Sequence, residues 1–274
     1  MNELQQVELK ILESFLKVCE KLNLKYFLVC GTALGAVKYQ GFIPWDDDID
    51  VGLPRKDYEI FCAQAQKILP EYYFVQTYKT DKNFPGIYCK IRDSRTTYIE
   101  KSVAHLDINH GVYIDVFPLD GYPKQRKDIK YLEKKKLWYQ RQLFCAYEIV
   151  NECSLKAKCF RKIGRILGIH KKTQKIVHEL NRVLLKWDVA ESDIICNHGN
   201  WQGQLEYASR QQYGNGVKMK FENLEVCVPK EYDAYLTQKY GDWRAELPVE
   251  QQVGHHYYEV CDLQRSYKEY TKRK

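Results

Sequence analysis

Four carboxylates stand within five residues, Asp46, Asp47, Asp48 and Asp50, in the stretch Gly41-Phe42-Ile43-Pro44-Trp45-Asp46-Asp47-Asp48-Ile49-Asp50-Val51-Gly52. Like charges this close repel one another, and a hard divalent cation is the usual agent that offsets them. Asp48-Ile49-Asp50-Val51-Gly52-Leu53 alternates with a period of two, as a half-buried strand does. Ile49, Val51 and Leu53 then face the core. Asp46, Asp48 and Asp50 share the opposite face, where the extended backbone reaches back that far. A solvated acidic turn is the plainer reading. A calcium loop of the EF-hand kind fits poorly, since Val51 and Asp57 stand where the loop needs Gly and Glu.

The preceding segment favours chemistry. Tyr26–Cys30 reads as a buried strand, and Gly31-Thr32-Ala33-Leu34-Gly35-Ala36-Val37 as a turn that opens a short helix. Gly31 lets a phosphate approach the backbone, Thr32 offers a hydroxyl, and a helix N-terminus offers free amides. A strand, a Gly-Thr cradle and a strand carrying Asp-x-Asp together suit metal-dependent phosphoryl or nucleotidyl transfer. Further along, Lys90 and Arg92 share one face of the strand Ile87–Arg92. By themselves they read as a solvated basic edge. Asp115 is the one acid in the apolar strand Gly111–Pro118, and a buried charge needs a partner. Asp120, beside Gly121, reads as a turn residue. Gly254-His255-His256 offers His255 as a substrate contact, although adjacent histidines point to different sides.

Gly31–Lys38, the acidic stretch and Pro54-Arg55 together resemble the LicD family, which includes bacterial phosphocholine transferases and fukutin-related enzymes. Lys90-Ile91-Arg92-Asp93-Ser94-Arg95-Thr96-Thr97, Ile114-Asp115-Val116-Phe117-Pro118-Leu119-Asp120-Gly121 and Tyr240-Gly241-Asp242-Trp243 fit as well, so the resemblance spans roughly residues 24–260. It implies an α+β fold, a nucleotidyltransferase-like mixed sheet with flanking helices and a helical insert. It implies a CDP-linked alcohol donor, such as one carrying phosphocholine, and a sugar hydroxyl of a surface glycan or its lipid-linked precursor as acceptor. In that frame Asp46, Asp48, Asp50 and Asp115 are the metal ligands for Mg²⁺ (or Mn²⁺), and Asp48, Asp50 and Asp115 carry the catalysis. Gly31 and Thr32 hold the diphosphate. Lys38, where Arg is common in the family, contacts substrate with Lys90, Arg92 and His255. Transfer of NMP itself, as in other nucleotidyltransferases, is the alternative.

These residues need elements to position them. Leu4, Val7, Ile11, Phe15, Val18 and Leu22 recur at helical spacing, so residues 4–22 form an amphipathic helix with no chemistry of its own. Pro54 suits the first position of a helix whose face carries Tyr58, Phe61, Ala65 and Ile68. Tyr72–Gln76 reads as a strand. Val217–Phe221 and Leu224–Val228 read as a hairpin, followed after Pro229 by a helix ending near Tyr240-Gly241. The expected organisation is a catalytic core over 1–122, a basic helical insert over 123–190, and an α+β part over 191–274 that completes the cleft.

Composition narrows the class. A chain of 274 residues that is 45% hydrophobic can build a core. No run of about 18 apolar residues is present, so no membrane span is expected. Met1–Gln6 has no apolar signal core, which points to the cytoplasm. The ten cysteines include no Cys-x-x-Cys pair, so reduced core thiols are expected rather than a zinc ribbon. The net charge of +7 is uneven: residues 124–175 hold 16 lysines and arginines against 4 acids, a balance of +12, and the rest of the chain carries −5. Within that segment Phe160, Ile163, Ile166 and Leu167 are flanked by Lys156, Lys158, Arg161, Lys162 and Arg165, a basic amphipathic helix suited to an anionic membrane face or glycan. A solvated insert whose apolar side covers the core is the plainer reading. No recognition motif for nucleic acid is present.

Overall fold

The computed structural model describes residues 1–150, 153–200, 202–254 and 256–271. Helix α1 spans Glu3–Leu22, with Asn2 accepting from the Gln5 amide in a capping box and Asn23 closing it in the left-handed region. Strand β1 is only Phe27–Leu28, and helix α2, Cys30–Lys38, follows within two residues. The chain turns at Cys30, whose φ is +52°. Strand β2 is Asp50–Pro54 and runs straight into α3, Arg55–Gln64. Strands β3 (Tyr73–Gln76), β4 (Cys89–Asp93), β5 (Thr97–Glu100) and β6 (Val112–Gly121) follow.

All of these strands except β5 build one mixed sheet in the order β1-β2-β6-β4-β3. The far end of β6 also pairs with β7 (Ile194–Asn197), which pairs with β8 (Tyr207–Ser209). The parallel pairing of β2 with β6 sets Asp50 opposite Asp115, and the antiparallel pairing of β4 with β6 sets Lys90 opposite Asp115. Residues opposite one another in a sheet share a face, so register alone puts Asp50, Asp115 and Lys90 in a row across three strands. The apolar set Ile114, Val116, Val51, Leu53 and Ile91 is fully buried with Ile11, Leu12 and Phe15 of α1 and Phe61 of α3. α1 thus occupies the role its spacing predicts. All ten residues of β6 are buried, as expected for a strand covered on both faces.

Helices α4 (Arg126–Leu143), α5 (Leu155–Ile166) and α6 (Thr173–Leu184) fill the basic segment. Leu132 and Leu143 of α4 meet Ile176, Val177, Leu180 and Leu184 of α6 in a cluster separate from the sheet core. After α7 (Arg210–Tyr213), the hairpin β9 (Val217–Phe221) and β10 (Leu224–Val228) forms over the expected residues, and α8 (Tyr232–Tyr240) ends at Gly241. Near the C-terminal end, β11 (Tyr258–Asp262) pairs with β5 in a two-stranded sheet that sequence reasoning missed.

Two expectations need correction here. Asp120 is no turn residue: it lies inside β6, fully buried, and receives two bonds from Arg55 (Nε at 2.6 Å and Nη2 at 2.7 Å). The aligned pairing with β7 carries β6 through Pro118 to Gly121. Pro54 ends β2 instead of opening the helix, and α3 starts at Arg55, the partner of Asp120.

Candidate active site

The edges of β2 and β6, the start of α2 and the loop before β2 enclose a cavity of about 520 Å³. Asp46, Asp48, Asp50 and Asp115 line it, with Gly31 and Lys38 of α2, Tyr88, Phe117, Tyr240, Trp243 and His256. Carboxylate oxygens of Asp48, Asp50 and Asp115 lie within 4.8 Å of one another. Asp48 precedes β2, so the strand is shorter than its alternation suggests, yet Asp48 still converges with Asp50.

The electrostatics are those of an under-compensated acidic site. Burial pushes the Asp46 carboxyl up to about 8, helped by Asp48 and Asp47. Asp50 is raised by burial, then by Asp48, Asp115 and Asp46. Asp115 is raised by burial to about 6, although Lys90 pulls it down. Asp48 is raised by burial against the pull of His256. Glu8 of α1 joins them: it is 2% exposed, one of its oxygens finds no hydrogen-bond partner among the described residues, and burial raises it ahead of Asp48, Asp46 and Asp47. Sequence reasoning gave α1 no such part. The available signal was Glu8 on the same helix face as Leu12 and Phe15. Its neighbour Gln5 donates to the Asp46 carbonyl at 2.9 Å and to the Ile43 carbonyl at 3.4 Å, holding the acidic loop against α1.

The cations are sparse. Lys90 Nζ is 3.1 Å from one Asp115 oxygen, 3.6 Å from Glu100 and 3.2 Å from the centre of the Tyr113 ring. His256 Nδ1 is 3.0 Å from Asp47, and its Nε2 is 3.7 Å from Asp48. Burial works against the charged ring, but the Asp47 bond and the charges of Asp48, Glu100 and Asp47 outweigh it and push His256 up to about 10. From sequence, Asp47 was not singled out as a site residue, and His256 appeared only within the candidate contact Gly254-His255-His256. His255, which was, lies outside the described residues.

The structure separates the expected substrate contacts. Gly31 faces the cavity beside Asp46: a Cβ there would lie 2.9 Å from an Asp46 oxygen. Lys38 lines the cavity, paired with Glu246 at 3.1 Å and donating to the Ala245 carbonyl at 2.8 Å. Thr32 does not face it. Its buried hydroxyl accepts from the Asp50 amide at 2.8 Å and so holds the first residue of β2 in place. Lys90 meets the site only through Asp115. Arg92 does not fit a phosphate contact: it is fully buried, and its donors go to Gln76 (2.7 Å), the Gly111 carbonyl (2.8 Å) and Glu100 (3.3 Å). Lys90 and Arg92 do share a strand face, but β5 brings Glu100 over Arg92 and seals it.

Asp48, Asp50 and Asp115 offer oxygen donors alone, the set that hard divalent cations take, while a second grouping of Asp47, Asp48 and His256 adds an imidazole nitrogen. The residues present fit Mg²⁺ or Mn²⁺. The amides of a helix's first turn lack intrahelical acceptors and favour an anion. The start of α2 opens on the same cavity at Gly31, while the Cys30 amide donates to the Tyr235 hydroxyl at 3.1 Å. Cation and anion seats side by side suit a metal-associated phosphate.

Comparison with known proteins places the chain in a family. Residues 23–148 match the family model described as LicD/FKTN/FKRP, nucleotidyltransferase domain. The chain is 30% identical over 270 residues to the lipopolysaccharide cholinephosphotransferase LicD of Haemophilus influenzae, across 96% of this chain and 98% of that protein. An uncharacterized protein of Rickettsia prowazekii is 35% identical over 107 residues, 38% of this chain and 35% of its own length. One of Rickettsia typhi is 48% identical over 52 residues, 19% of this chain and 16% of its own length. With a match over nearly its whole length, the chain belongs to the LicD family of transferases.

Proposed function

We propose that this enzyme moves phosphocholine from CDP-choline to a sugar hydroxyl of a lipopolysaccharide-type glycan. The observation that supports it most is the convergence of Asp48, Asp50 and Asp115 beside the start of α2. The choice of choline and of the glycan follows the relative that matches along its whole length. Asp48, Asp50 and Asp115 hold Mg²⁺ or Mn²⁺, with Asp46 as a further ligand or a support. A bound divalent ion neutralises phosphate charge and polarises the phosphoryl oxygens.

The chain's own residues do the rest. The amides at the start of α2, at Gly31, seat the diphosphate, and the absence of a side chain at Gly31 lets it approach. The acceptor hydroxyl attacks the phosphorus that bears choline. The bond from that phosphorus to the CMP oxygen breaks, and CMP leaves with the electron pair. Asp115, open to the cavity, takes the hydroxyl proton, since a carboxylate within hydrogen-bond reach can act as general base. Lys90 keeps Asp115 ionised and aimed across the strands. His256, charged between Asp47 and Asp48, offsets part of the excess negative charge. Tyr39, Trp45, Tyr240 and Trp243 offer flat apolar walls for the base or the sugar.

Incubation with a panel of CDP-alcohols, Mg²⁺ and lipopolysaccharide tests this reading. CMP release that depends on CDP-choline, with choline appearing on the glycan, is the expected result. Release of pyrophosphate from CTP, with CMP attached to the acceptor, would instead establish nucleotidyl transfer.

A further inference from the structure

Helix α5 is turned the opposite way from an element that only covers a core. Its inward side is small and basic. Gly164 is buried, and a Cβ there would lie 2.4 Å from the Cys145 sulfur. Arg161 donates to the Tyr147 carbonyl at 2.7 Å and pairs with Glu148. Arg165 donates to the Cys145 carbonyl at 3.0 Å and reaches Glu148 at 2.7 Å. Two of the five cations flanking the apolar stripe are therefore spent inside the protein. Its outward side is apolar: Leu155 is 78% exposed, Ile163 57%, Ile166 75% and Leu167, just past the helix end, 68%. At helical spacing these four fall within an arc of about 120°. Exposed Lys156 lies within the arc, and exposed Lys162 and Lys158 lie along one edge of it.

We propose that this outward face docks on an anionic lipid bilayer. Leu155, Ile163, Ile166 and Leu167 enter the boundary between headgroups and acyl chains. Lys156, Lys158 and Lys162 lie among the anionic headgroups. The charge selects this occupant. A second copy placed face to face would set lysines against lysines, and a purely apolar partner would leave them without counter-charges. Among the described residues no helix is long and apolar enough to cross a membrane, so attachment through α5 is peripheral and reversible. The inference goes beyond the proposed transfer and does not depend on the choice of donor.

The test is co-sedimentation of the full chain with phosphatidylglycerol/phosphatidylcholine vesicles and with phosphatidylcholine alone. One variant carries Leu155→Ser, Ile163→Ser, Ile166→Ser and Leu167→Ser. A second carries Lys156→Gln, Lys158→Gln and Lys162→Gln. All of these side chains are exposed, so unchanged thermal unfolding checks that both variants fold. The wild type should bind anionic vesicles, release them at high salt, and bind neutral vesicles weakly. Each variant should bind at least about tenfold less, given three charges and four apolar side chains at such a surface. CMP release measured with a delipidated, soluble acceptor should be unchanged in both. Equal wild-type binding to anionic and neutral vesicles would overturn the proposal, as would wild-type-like binding by the Leu/Ile variant. A wild-type dimer in sedimentation velocity that the Leu/Ile variant abolishes would also overturn it, by assigning the face to a second copy. Failure of CDP-choline as donor leaves this result untouched, so the two readings fail separately.

Discussion

The two ends of strand β6 each bury an acid, and they treat it in opposite ways. Asp120 meets Arg55 through two short bonds, with Glu59 and Asn181 completing the guanidinium's partners. Asp115, five residues earlier and on the other face, shares one lysine with Glu100 and stands beside Asp48 and Asp50. At one end the buried acid has a guanidinium of its own, and the pair ties α3 and α6 to the sheet. At the other, four cavity carboxylates and Glu8 face Lys90 and His256. A fold assembled for stability alone would have no reason to leave the second end so unbalanced. On the proposed reading, the missing counter-charge is supplied by the metal that binds.

Substitutions at the two ends should break different properties. Asp48→Asn or Asp50→Asn should lower kcat by about 10³-fold or more, the scale for losing a principal electrostatic stabiliser. The fold should persist, because each change relieves repulsion. Steady-state turnover with CDP-choline, alongside thermal unfolding of the same samples, checks both halves. At the matched end, Asp120→Asn leaves Arg55 buried without its carboxylate. The unfolding free energy should drop by about 3–5 kcal/mol, while kcat below the melting temperature stays close to wild type. Urea unfolding measures the first, and a tenfold fall in kcat would show that the Asp120 end is not merely structural.

The protonation of the acidic end sharpens the contrast. A carboxyl whose pKa is raised by folding binds its proton more tightly in the folded state. Its contribution to stability is present below the unfolded value and is lost as pH rises through the folded one. Asp115, pushed up to about 6, and Asp46, pushed up to about 8, start from an ordinary value of 3.8. Metal-free protein should therefore lose stability as pH climbs from about 4 to about 8. Saturating Mg²⁺ should restore it, by about 2–3 kcal/mol at a hundredfold excess over Kd. Thermal melts across that range with EDTA or Mg²⁺ read the effect. A metal-free melting temperature that rises over the same interval would contradict it.

The smallest effect is expected at Thr32. Thr32→Val leaves the buried Asp50 amide without its acceptor and should cost about 1–3 kcal/mol. Thr32→Ser should recover most of it. Equal loss in both variants would show that packing, not the hydroxyl, holds Asp50.

How much of this was legible in the sequence follows from the range of the interactions. The period-two run from Asp48 and the lone acid in an apolar strand were local signals, and both led to the site. The amphipathic spacing of α1 and the hairpin at 217–228 were local as well. Asp120 was misread because Pro118 and Gly121 resemble turn residues, and only the pairing with β7 shows the strand continuing past them. Arg92 was misread because strand alternation shows which residues share a face but not what covers it. Glu100 lies only eight residues past Arg92, but alternation does not show the chain folding back over it. His256 and the β5–β11 pairing join segments more than 150 residues apart, beyond any local pattern. The outward apolar face of α5 was equally hidden. Helical spacing located the stripe, and only the pairing of Arg161 and Arg165 with Glu148 shows which way it points.

On the proposed reading, Asp48, Asp50 and Asp115 form a seat for a divalent cation and Asp120 does not. Titration of Mn²⁺ into wild type, Asp50→Asn and Asp120→Asn, followed by electron paramagnetic resonance of the free ion, tests it most directly. Wild type and Asp120→Asn should take up Mn²⁺ alike, and Asp50→Asn should bind it at least about tenfold more weakly, the scale of disturbing a metal's immediate surroundings. Unchanged Mn²⁺ binding in Asp50→Asn would contradict the account.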